Sequence, residues 1–381
     1  MRVYIGCFGS GLGHAMRMLE IAEALKTSHD CVRFSSSGEV ATFVEQNSYP
    51  CNRLPPADVR YSKSGGFSLG DTLIATPLIF GRLFQQLGNE LSYIMRFAPD
   101  VVLSDSSLPT VLASRILGIP SVAVLNQLNL TSSIDGDGRV SRLLSMVFSA
   151  IICRLWGLAE VLLPDLPPPY TISEKNLWGR GTGKIRYVGL LRLSHGREPD
   201  DAAREFVAER RTKVFWQVSG PRDTRAGFLR SAVECARELA DDYSFVVAGG
   251  DPNSSRIACK IPGGWFYGWC NISGFYFCAG DLVISRAGHG AVSQSLMHSK
   301  PSVVVPIPNQ PEQLGNAKKV VQLGTSVMLS QGDLSPANVR KALASANLRK
   351  HVMEARRLGA LVSGFDARSE IVSVVEKAAA G

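Results

Sequence analysis

The sequence predicts an α/β protein with two doubly wound, Rossmann-like parallel-sheet domains that face each other across a cleft. Apolar strand segments alternate with amphipathic helical segments, which is typical of parallel sheets with right-handed crossovers. A stretch rich in proline and glycine, Pro164–Gly183, separates the two halves and indicates a hinge. With 381 residues, the chain is long enough to form two hydrophobic cores.

The apolar segments place the strands in chain order. In the first half we expect strands at VYIGCF, CVRFSS, VVLSD, SVAVLN and VLLP, and in the second half at IRYVG, KVFWQVSG, SFVVAGG, GWFYGW, DLVIS and SVVVPIP. Helical patterns lie between them, at Met16–Lys26, Gly38–Gln46, Phe80–Arg96, Leu108–Leu117, Ala226–Leu239, Ala291–Met297 and Asn316–Leu323. We therefore expect an N-terminal domain at 1–165, a linker at 166–184, a C-terminal domain at 185–360 and a final segment at 361–381.

Composition and charge argue against several classes of protein. The chain is 45% hydrophobic and 19% charged, as in ordinary globular proteins. Its eight cysteines form no CxxC pair, so neither a zinc site nor a disulfide framework is indicated, and we expect a cytoplasmic protein without a secretory signal. The net charge of +8 favours anionic partners, but no nucleic-acid-binding motif accompanies it.

The most apolar window of the chain is 142–164. Arg154 and Glu160 interrupt it, and its uninterrupted part is shorter than the ~20 residues that a membrane-spanning helix needs. The window predicts a buried helix followed by a strand. Peripheral contact with a membrane is the alternative interpretation.

A glycine-rich turn, GCFGSGLGH, follows the first strand. Gly9, Gly11 and Gly13 recur at every second residue, rather than in the GxGxxG spacing of a dinucleotide site. His14 ends this turn at the carboxyl edge of the predicted sheet, where we expect it to face the cleft. The pKa of an imidazole suits a general base, so His14 is a candidate base. The alternative is a histidine that only caps or packs the turn.

A general base needs a group that orients it, and Asp105 is the candidate. It ends the buried strand VVLSD, which brings its carboxylate to the same edge of the sheet. A carboxylate hydrogen-bonded to one ring nitrogen fixes the tautomer of the imidazole and stabilises the imidazolium. The competing interpretation is an N-cap for the helix that begins near Leu108.

The segment from Asp281 to Asn316 carries the clearest signal for a ligand. The strand DLVIS runs into the small-residue turn RAGHG and then into a helix, and such a turn lets backbone amides approach an anion at a helix N-terminus. This pattern predicts a diphosphate site. After the next strand, Glu312 and Gln313 supply adjacent polar side chains, which suit the hydroxyls of a sugar.

These motifs resemble those of a known family. GSGLGH in the first domain, with SRAGHGAVSQSL and PSVVVPIPNQPEQLGNA in the second, resembles the GT-B glycosyltransferases, in particular family 28 with its peptidoglycan GlcNAc transferase, diacylglycerol glycosyltransferases and archaeal homologues. The resemblance extends over nearly the whole chain. It implies the GT-B fold and a final helix that crosses back to brace the first domain.

The resemblance also implies roles for individual residues. The residues that match the donor-diphosphate loops are Ser219, Gly220, Ser285, Gly288, His289 and Gly290. The residues that match the nucleoside segment, which reads the base mainly through backbone groups, are Tyr267, Gly268 and Trp269. The residues that match the sugar contacts are Glu312, Gln313 and Asn316. His14 matches the family's candidate base and Asp105 its partner, with Gly11 and Gly13 on the acceptor side.

One position departs from the family. Gln294 stands where the family usually has a glutamate that grips both ribose hydroxyls. An amide can still bond to a ribose, but charge-assisted hydrogen bonds are roughly twice as strong as neutral ones. The departure implies weaker binding of the nucleotide or a different nucleotide. The alternative is a solvated helix residue.

The resemblance implies a metal-independent, inverting transfer of a hexose or N-acetylhexosamine from a nucleoside-diphosphate sugar, a UDP-sugar in the first instance, to an acceptor hydroxyl. No cofactor is expected beyond this co-substrate. The acceptor is open, and a lipid-linked acceptor would fit a peripheral protein on the inner face of the membrane, with apolar segments at Leu78–Arg96 and Arg142–Trp156 as candidate contacts. A UDP-GlcNAc 2-epimerase-like enzyme and a non-catalytic nucleotide-sugar-binding subunit are the alternatives.

Overall fold

The computed structural model describes residues 1–26, 31–56, 69–126, 150–174, 185–193 and 198–381, without the side chains of 26, 31 and 69–80. The contacts within it divide the described chain into two units. Unit 1 contains the described residues up to Leu191 together with Asp366–Gly381. Unit 2 contains the described residues of Arg192–Phe365.

Unit 1 is built on a parallel sheet of seven strands in the order β3-β2-β1-β4-β5-β6-β7. The strands are β1 Arg2–Cys7, β2 Cys31–Ser36, β3 Cys51–Arg53, β4 Val101–Asp105, β5 Ser121–Val124, β6 Glu160–Leu163 and β7 Ile185–Tyr187. The two central strands, β1 and β4, are almost wholly buried. Continuous apolar runs of this kind are typical of strands covered on both faces.

The helices of unit 1 follow the strands in the βα order that the sequence predicts. They are α1 Leu12–Lys26, α2 Gly38–Gln46, α3 Leu69–Phe97 and α4 Leu108–Ile116, with a further helical stretch at 150–156. In this stretch Ile152, Cys153 and Trp156 pack against β6, as the interpretation of a buried helix followed by a strand expects. Positions 142–149 of that apolar window lie outside the described residues.

The sheet membership of IRYVG differs from the expected boundary. The sequence places 185–189 in the second domain, but β7 pairs in parallel with β6, and unit 1 continues to Leu191. The first sheet gains a hydrogen-bonded edge strand in this way. The expected linker, 166–184, therefore lies between two strands of the same sheet.

Unit 2 contains a second seven-stranded sheet in the order β10-β11-β9-β8-β12-β13-β14, parallel except for the antiparallel edge pair β10–β11. The strands are β8 Thr212–Gln217, β9 Tyr243–Ala248, β10 Cys259–Ile261, β11 Gly264–Tyr267, β12 Leu282–Ser285, β13 Ser302–Val304 and β14 Ser326–Met328. The helices are α5 Asp201–Ala208, α6 Arg225–Glu238, α7 Ser273–Ala279, α8 His289–Met297, α9 Pro311–Gln322, α10 Pro336–Ala346 and α11 Arg349–Val362.

Helices cover both faces of the second sheet. Along β8, Trp216 belongs to the core that contains Phe228 of α6, whereas its neighbour Phe215 belongs to the core that contains Tyr276 and Phe277 of α7. This alternation follows from the two-residue period of a strand. The predicted class, two parallel-sheet α/β domains, is confirmed.

A final helix, α12 (Ala367–Ala380), is part of unit 1. It packs against α1, β4 and β5. Buried Ile371, Val374 and Val375 form its apolar side. The end of the chain thus returns to the first sheet after unit 2 is complete.

Five of the expected helices begin earlier than the sequence pattern indicates, and in α1 and α9 the earlier start moves candidate residues into the helix. Helix α1 begins at Leu12 rather than Met16, because Gly11 has a φ of +88° and completes the turn before it. Helix α9 begins at Pro311 rather than Asn316, because Gln310 caps it through a hydrogen bond from the Gln313 amide and proline is tolerated in the first turn. His14 and Glu312 therefore lie in the first turns of helices.

Among the residues that the structure describes, no helix combines the length and the apolar character that crossing a bilayer requires.

Candidate functional site

The candidate base lies where the first strand turns into α1. β1 and β4 are neighbours whose last residues, Cys7 and Asp105, are in register, so both loops leave the same edge of the sheet. His14 follows in the first turn of α1, with its side chain 22% exposed. An added Cβ at the nearby Gly13 would meet no heavy atom of the other described residues within 4 Å, apart from the adjoining backbone. The predicted acceptor-side turn is therefore open around the histidine.

His14 and Asp105 are in direct contact. The Nδ1 atom of His14 lies 2.8 Å from Oδ1 of Asp105, whose side chain is fully buried. Helix α4 begins after Ser107 and has no side-chain cap, so the alternative role of Asp105 as an N-cap is not realised. The ring of Phe8 packs edge-on against the imidazole, with 5.6 Å between the ring centroids.

Arg17 is a third member of this cluster that the sequence reasoning missed. Its Nε and Nη2 groups donate to the two oxygens of Asp105, at 2.9 and 2.6 Å, and Nη1 donates to Oδ1 of Asn126. Arg17 lies one helical turn after His14, so it projects toward the same sheet edge. The sequence segment HAMR places Arg17 three residues after His14, which is the only local indication of its role. The role itself depends on Asp105, a carboxylate 88 residues away in sequence.

The charges around Asp105 decide its protonation state. Burial alone would raise the pKa of the Asp105 carboxyl, but Arg17 and His14 beside it lower that pKa to about 2. An ionised carboxylate can only accept hydrogen bonds. Nδ1 of His14 therefore carries the proton in the contact with Asp105, and Nε2 is the ring nitrogen left to act on a substrate.

In unit 2, the predicted diphosphate loop joins β12 to α8. Gly288 is the N-cap of α8 and no side chain caps this helix; apart from the adjoining backbone, an added Cβ at Gly288 or Gly290 would meet no heavy atom of the described residues within 4 Å. The backbone amides at this helix N-terminus are therefore approachable, and the helix dipole favours an anion there. His289, by contrast, is buried, with its Nδ1 3.4 Å from the Ser293 hydroxyl, so its side chain packs within the helix.

Buried polar atoms without a partner surround this loop among the described residues. They include the Ser285 hydroxyl, Oδ1 of Asn316, Oε1 of Gln217 and Nε of Arg286. Ser285 and Gln217 are in register at the ends of β12 and β8, and the Asn316 amide nitrogen donates to the Ala287 carbonyl inside the loop. Buried polar groups are normally paired, so these atoms mark a place where a polar ligand or ordered water would complete the hydrogen bonding. Gln217 is a residue that the sequence reasoning did not select.

One arginine braces the neighbouring turn at Ser219 and Gly220, and a second lies next to the start of the helix that follows it. Gly220 has a φ of +103°, and the Nε group of Arg225 donates to its carbonyl at 2.7 Å. Arg286 is fully buried, lies over the ring of Phe228 and donates to the carbonyls of Thr224 and Val305. Burial lowers the pKa of the Arg286 guanidinium to about 10.

A positive charge excess accompanies these turns. No described carboxylate forms an ion pair with Arg286, although it directly follows Ser285 in the predicted diphosphate loop. Of the 41 Lys and Arg residues of the chain, 22 lie in 192–365, against 15 of the 33 Asp and Glu residues. The second unit therefore carries nearly all of the net positive charge, which suits an anionic ligand.

The predicted nucleoside segment, Tyr267, Gly268 and Trp269, packs closely against its neighbours in unit 2. The Tyr267 side chain is fully buried, and its hydroxyl bonds with Asp200 and Tyr276. Its ring therefore belongs to the core. Gly268 packs so closely against the Ser254–Ser255 segment that an added Cβ would lie 2.5 Å from the Ser254 Cβ, and the Trp269 amide donates to the Ser255 carbonyl.

Gln294 is 2% exposed, so the alternative of a solvated helix residue is wrong. Its Oε1 accepts a hydrogen bond from the backbone amide of Leu193 at 3.4 Å. The side chain therefore contacts the segment with which the chain enters unit 2. A contact with a ribose stays a prediction.

The predicted sugar residues occupy the first turns of α9. Gln313 is buried, and its Oε1 accepts from the Ile307 amide at 2.9 Å, which fixes the side chain against the preceding loop. Glu312 is partly exposed, and Asn316 reaches the diphosphate loop through Ala287. Asn316 thus ties the sugar segment and the diphosphate loop together.

Comparison with known proteins agrees with this architecture. Residues 231–367 match the glycosyltransferase family 28 C-terminal domain. An uncharacterized glycosyltransferase of Methanosarcina mazei is 26% identical over 388 residues, which cover 100% of this chain and 99% of the relative. The UDP-N-acetylglucosamine--N-acetylmuramyl-(pentapeptide) pyrophosphoryl-undecaprenol N-acetylglucosamine transferase 1 of Bacillus cereus is 22% identical over 397 residues, with 99% of each chain covered.

Solved structures show the same fold. The crystal structure of the Streptomyces sp. SF2575 glycosyltransferase SsfS6, complexed with thymidine diphosphate, superposes with a TM-score of 0.65 at 19% identity and covers 99% of both chains. The chain therefore has the fold of the GT-B glycosyltransferases. More particularly, residues 231–367, which make up most of the second unit, match the family 28 C-terminal domain.

Proposed function

We propose that this protein is an inverting glycosyltransferase that moves a hexose or N-acetylhexosamine from a nucleoside-diphosphate sugar to an acceptor hydroxyl. His14 would take the proton of the acceptor hydroxyl on Nε2. The oxygen would attack the anomeric carbon in a single displacement, and the nucleoside diphosphate would leave. One displacement at that carbon inverts its configuration.

The observation that carries this proposal is the contact between His14 and the buried, ionised Asp105. A histidine that only packs the turn does not need a buried carboxylate at one of its ring nitrogens. Burying a charged carboxylate costs desolvation free energy unless other interactions compensate for it. The same contact fixes the ring for proton transfer and stabilises the imidazolium that forms.

The open N-terminus of α8 supports the second half of the proposal. The amides around Gly288 and Gly290 would stabilise the departing diphosphate through preorganised hydrogen bonds, and the unpaired Ser285 and Asn316 atoms would gain partners. Because amides and arginines can carry this charge, we propose that the reaction does not require a metal ion. We expect turnover to be unchanged by EDTA. Loss of turnover in EDTA that added Mg²⁺ restores would contradict the proposal.

The donor is proposed at the level of its diphosphate. One relative is named for a UDP-sugar and one solved neighbour holds thymidine diphosphate, so the base is an experimental question. A thermal-shift screen with UDP, GDP and dTDP answers it, because a ligand at 100 times its Kd stabilises by about 2.7 kcal/mol. We expect UDP to give the largest shift, and equal shifts with all three would contradict base recognition.

Product analysis tests the reaction itself. A transferase forms a glycoside whose anomeric configuration, read by NMR, is opposite to that of the donor. A UDP-GlcNAc 2-epimerase-like enzyme would return an isomerised sugar without an acceptor, and a nucleotide-sugar-binding subunit would give no turnover. A product with retained configuration would contradict the single displacement.

We propose a cytoplasmic protein that contacts the membrane peripherally and takes a lipid-linked acceptor. Helix α3 exposes Phe84 and Met95 at 72% and 60%, and it also carries the basic residues Arg82 and Arg96. Apolar and basic side chains on one helix favour an anionic bilayer surface. We expect the Phe84→Ser/Met95→Ser variant to lose cosedimentation with phosphatidylglycerol vesicles, while Ile116→Ser, a control exposed at 63%, keeps it. Absence of binding by the wild type at low salt would contradict the proposal.

A further inference from the structure

The guanidinium of Arg17 holds Asp105 more extensively than His14 does. Arg17 approaches the carboxylate with two parallel donors, Nε to Oδ2 at 2.9 Å and Nη2 to Oδ1 at 2.6 Å. His14 makes a single contact, to Oδ1. Bidentate pairing of this kind fixes the plane of a carboxylate as well as its position. The direction in which Oδ1 faces His14 is thus set by Arg17.

The guanidinium has its own support. Nη1 of Arg17 donates to Oδ1 of Asn126, which follows β5, and the arginine side chain is 9% exposed. The cluster therefore joins α1 to the ends of two neighbouring strands, β4 and β5. Because each of its three nitrogens donates a hydrogen bond, the guanidinium has little freedom to leave Asp105.

The same geometry places a positive charge beside the imidazole. Nη2 of Arg17 lies 3.5 Å from Nδ1 of His14. Among the described residues, the titratable groups in this neighbourhood are Asp105 from β4, Arg17 from α1 and Cys7 from β1. Burial raises the pKa of the Cys7 thiol well above its usual range. Cys7 is therefore neutral, and the fixed charges of Arg17 and Asp105 offset each other.

We propose that Arg17 is a positioning residue that orients the Asp105 carboxylate for His14 and offsets its charge, so that His14 stays neutral and able to accept a proton. A lone carboxylate beside an imidazole favours the imidazolium, which cannot act as a base. With Arg17 present, a protonated His14 would be a second positive charge beside the single carboxylate of Asp105. This inference rests on the proposed base role of His14.

NMR titration of the imidazole tests the charge effect without requiring turnover. The chain has six histidines, and the resonance that disappears in His14→Ala assigns His14. We expect His14 of Arg17→Gln to stay protonated to a higher pH than in the wild type, whereas Arg17→Lys, which keeps the charge, should follow the wild type. An unchanged pKa in Arg17→Gln would overturn the charge effect.

The pH dependence of turnover tests the consequence. In Arg17→Gln the acid limb of kcat should shift upward with the pKa of His14, so the loss relative to wild type is about tenfold greater at pH 6 than at pH 9. A loss that is equal at both pH values indicates a purely structural role and overturns the inference. If Arg17→Gln does not fold, Arg17→Lys carries the test. We then expect kcat to fall about tenfold with KM for the donor unchanged, because lysine lacks the two parallel donors, and a wild-type kcat would overturn the orienting role.

Failure of the proposed function is recognised separately. If His14→Ala keeps wild-type turnover, His14 is not the base, whatever the Arg17 variants do. If His14→Ala is inactive while Arg17→Gln titrates and turns over like the wild type, the base role stands and the inference about Arg17 is wrong.

Discussion

Replacement of Gly290 by alanine separates a structural glycine from one that makes room for a ligand. Gly290 is the second residue of α8, and in the part of the chain that the structure describes an added Cβ would meet no heavy atom within 4 Å beyond the adjoining backbone. Glycine inside a helix is less favourable than alanine by roughly 0.5–1 kcal/mol. The folded protein should therefore tolerate or gain from the methyl group, since none of the described residues of unit 2 occupies its place.

The expected result is a variant that is more stable but binds the donor less well. A gain of roughly 0.5–1 kcal/mol corresponds to about 1–4 °C in the melting temperature of a unit of this size. If the diphosphate lies against the amides at this helix N-terminus, the methyl group occupies space that its oxygens need. We expect the affinity for UDP to fall at least about tenfold, which corresponds to about 1.4 kcal/mol.

The assay pairs a thermal melt with calorimetric titration of UDP. Gly227→Ala is the matched control, because Gly227 lies in α6, is exposed, and its added Cβ has only Arg230 as near as 4.0 Å. Gly227→Ala should gain similar stability and keep wild-type affinity. If Gly290→Ala binds UDP as tightly as Gly227→Ala does, the diphosphate does not lie at this helix N-terminus.

Three further predictions concern charge and backbone. Asp105→Asn should lower the free energy of unfolding by roughly 3–5 kcal/mol near pH 7, because the buried charge of Arg17 loses its partner. Since the pKa of Asp105 in the folded protein is about 2, below the usual value near 3.9, its contribution is present above about pH 4 and is lost as the pH falls toward 2. Urea denaturation should thus show the gap between the two proteins narrowing over that range, and a gap independent of pH would refute the assignment. Gln294→Glu should raise the affinity for UDP about fivefold by adding a charge-assisted bond to the ribose, as measured by calorimetry; unchanged affinity would limit Gln294 to its contact with Leu193. Gly250→Ala should destabilise the protein by at least about 2 kcal/mol, because φ is +75° and an added Cβ would lie 2.3 Å from the Val218 carbonyl oxygen; a wild-type denaturation midpoint would contradict this.

Regular alternation made much of the fold predictable. Strands such as β2 and β4 and the helix Gly38–Gln46 have the bounds that the sequence pattern indicates. In these segments the sequence pattern agrees with the burial of the side chains. The short strands at the sheet edges, β3, β10 and β14, carry only three residues each and give no comparable pattern.

Sheet membership was not readable from local sequence. The strand IRYVG follows the Pro/Gly-rich stretch, so chain order suggests the second domain, yet it pairs with β6. A period of two residues identifies a strand but says nothing about its partner. Helices such as α10 were missed, although Ser335 and Pro336 form a recognisable start signal, with Ser335 accepting from the Asn338 amide.

Within the candidate site, the sequence predicted single residues better than their neighbours. His14 and Asp105 end adjacent parallel strands or their turns, and the rule that carboxyl ends meet at one edge brings them together. Arg17 and Gln217 were not predicted, because the role of each depends on a residue distant in sequence. Arg17 binds Asp105, and Gln217 lies beside Ser285.

The measurement that tests the central claim most directly compares donor binding with turnover in His14→Ala. We expect the variant to bind UDP within about twofold of wild type, because the donor residues proposed here lie in unit 2, while glycoside formation falls by a factor of about 10² to 10⁴ with the loss of the base. Transfer at the wild-type rate would contradict the account, since no other group in it removes the proton from the acceptor.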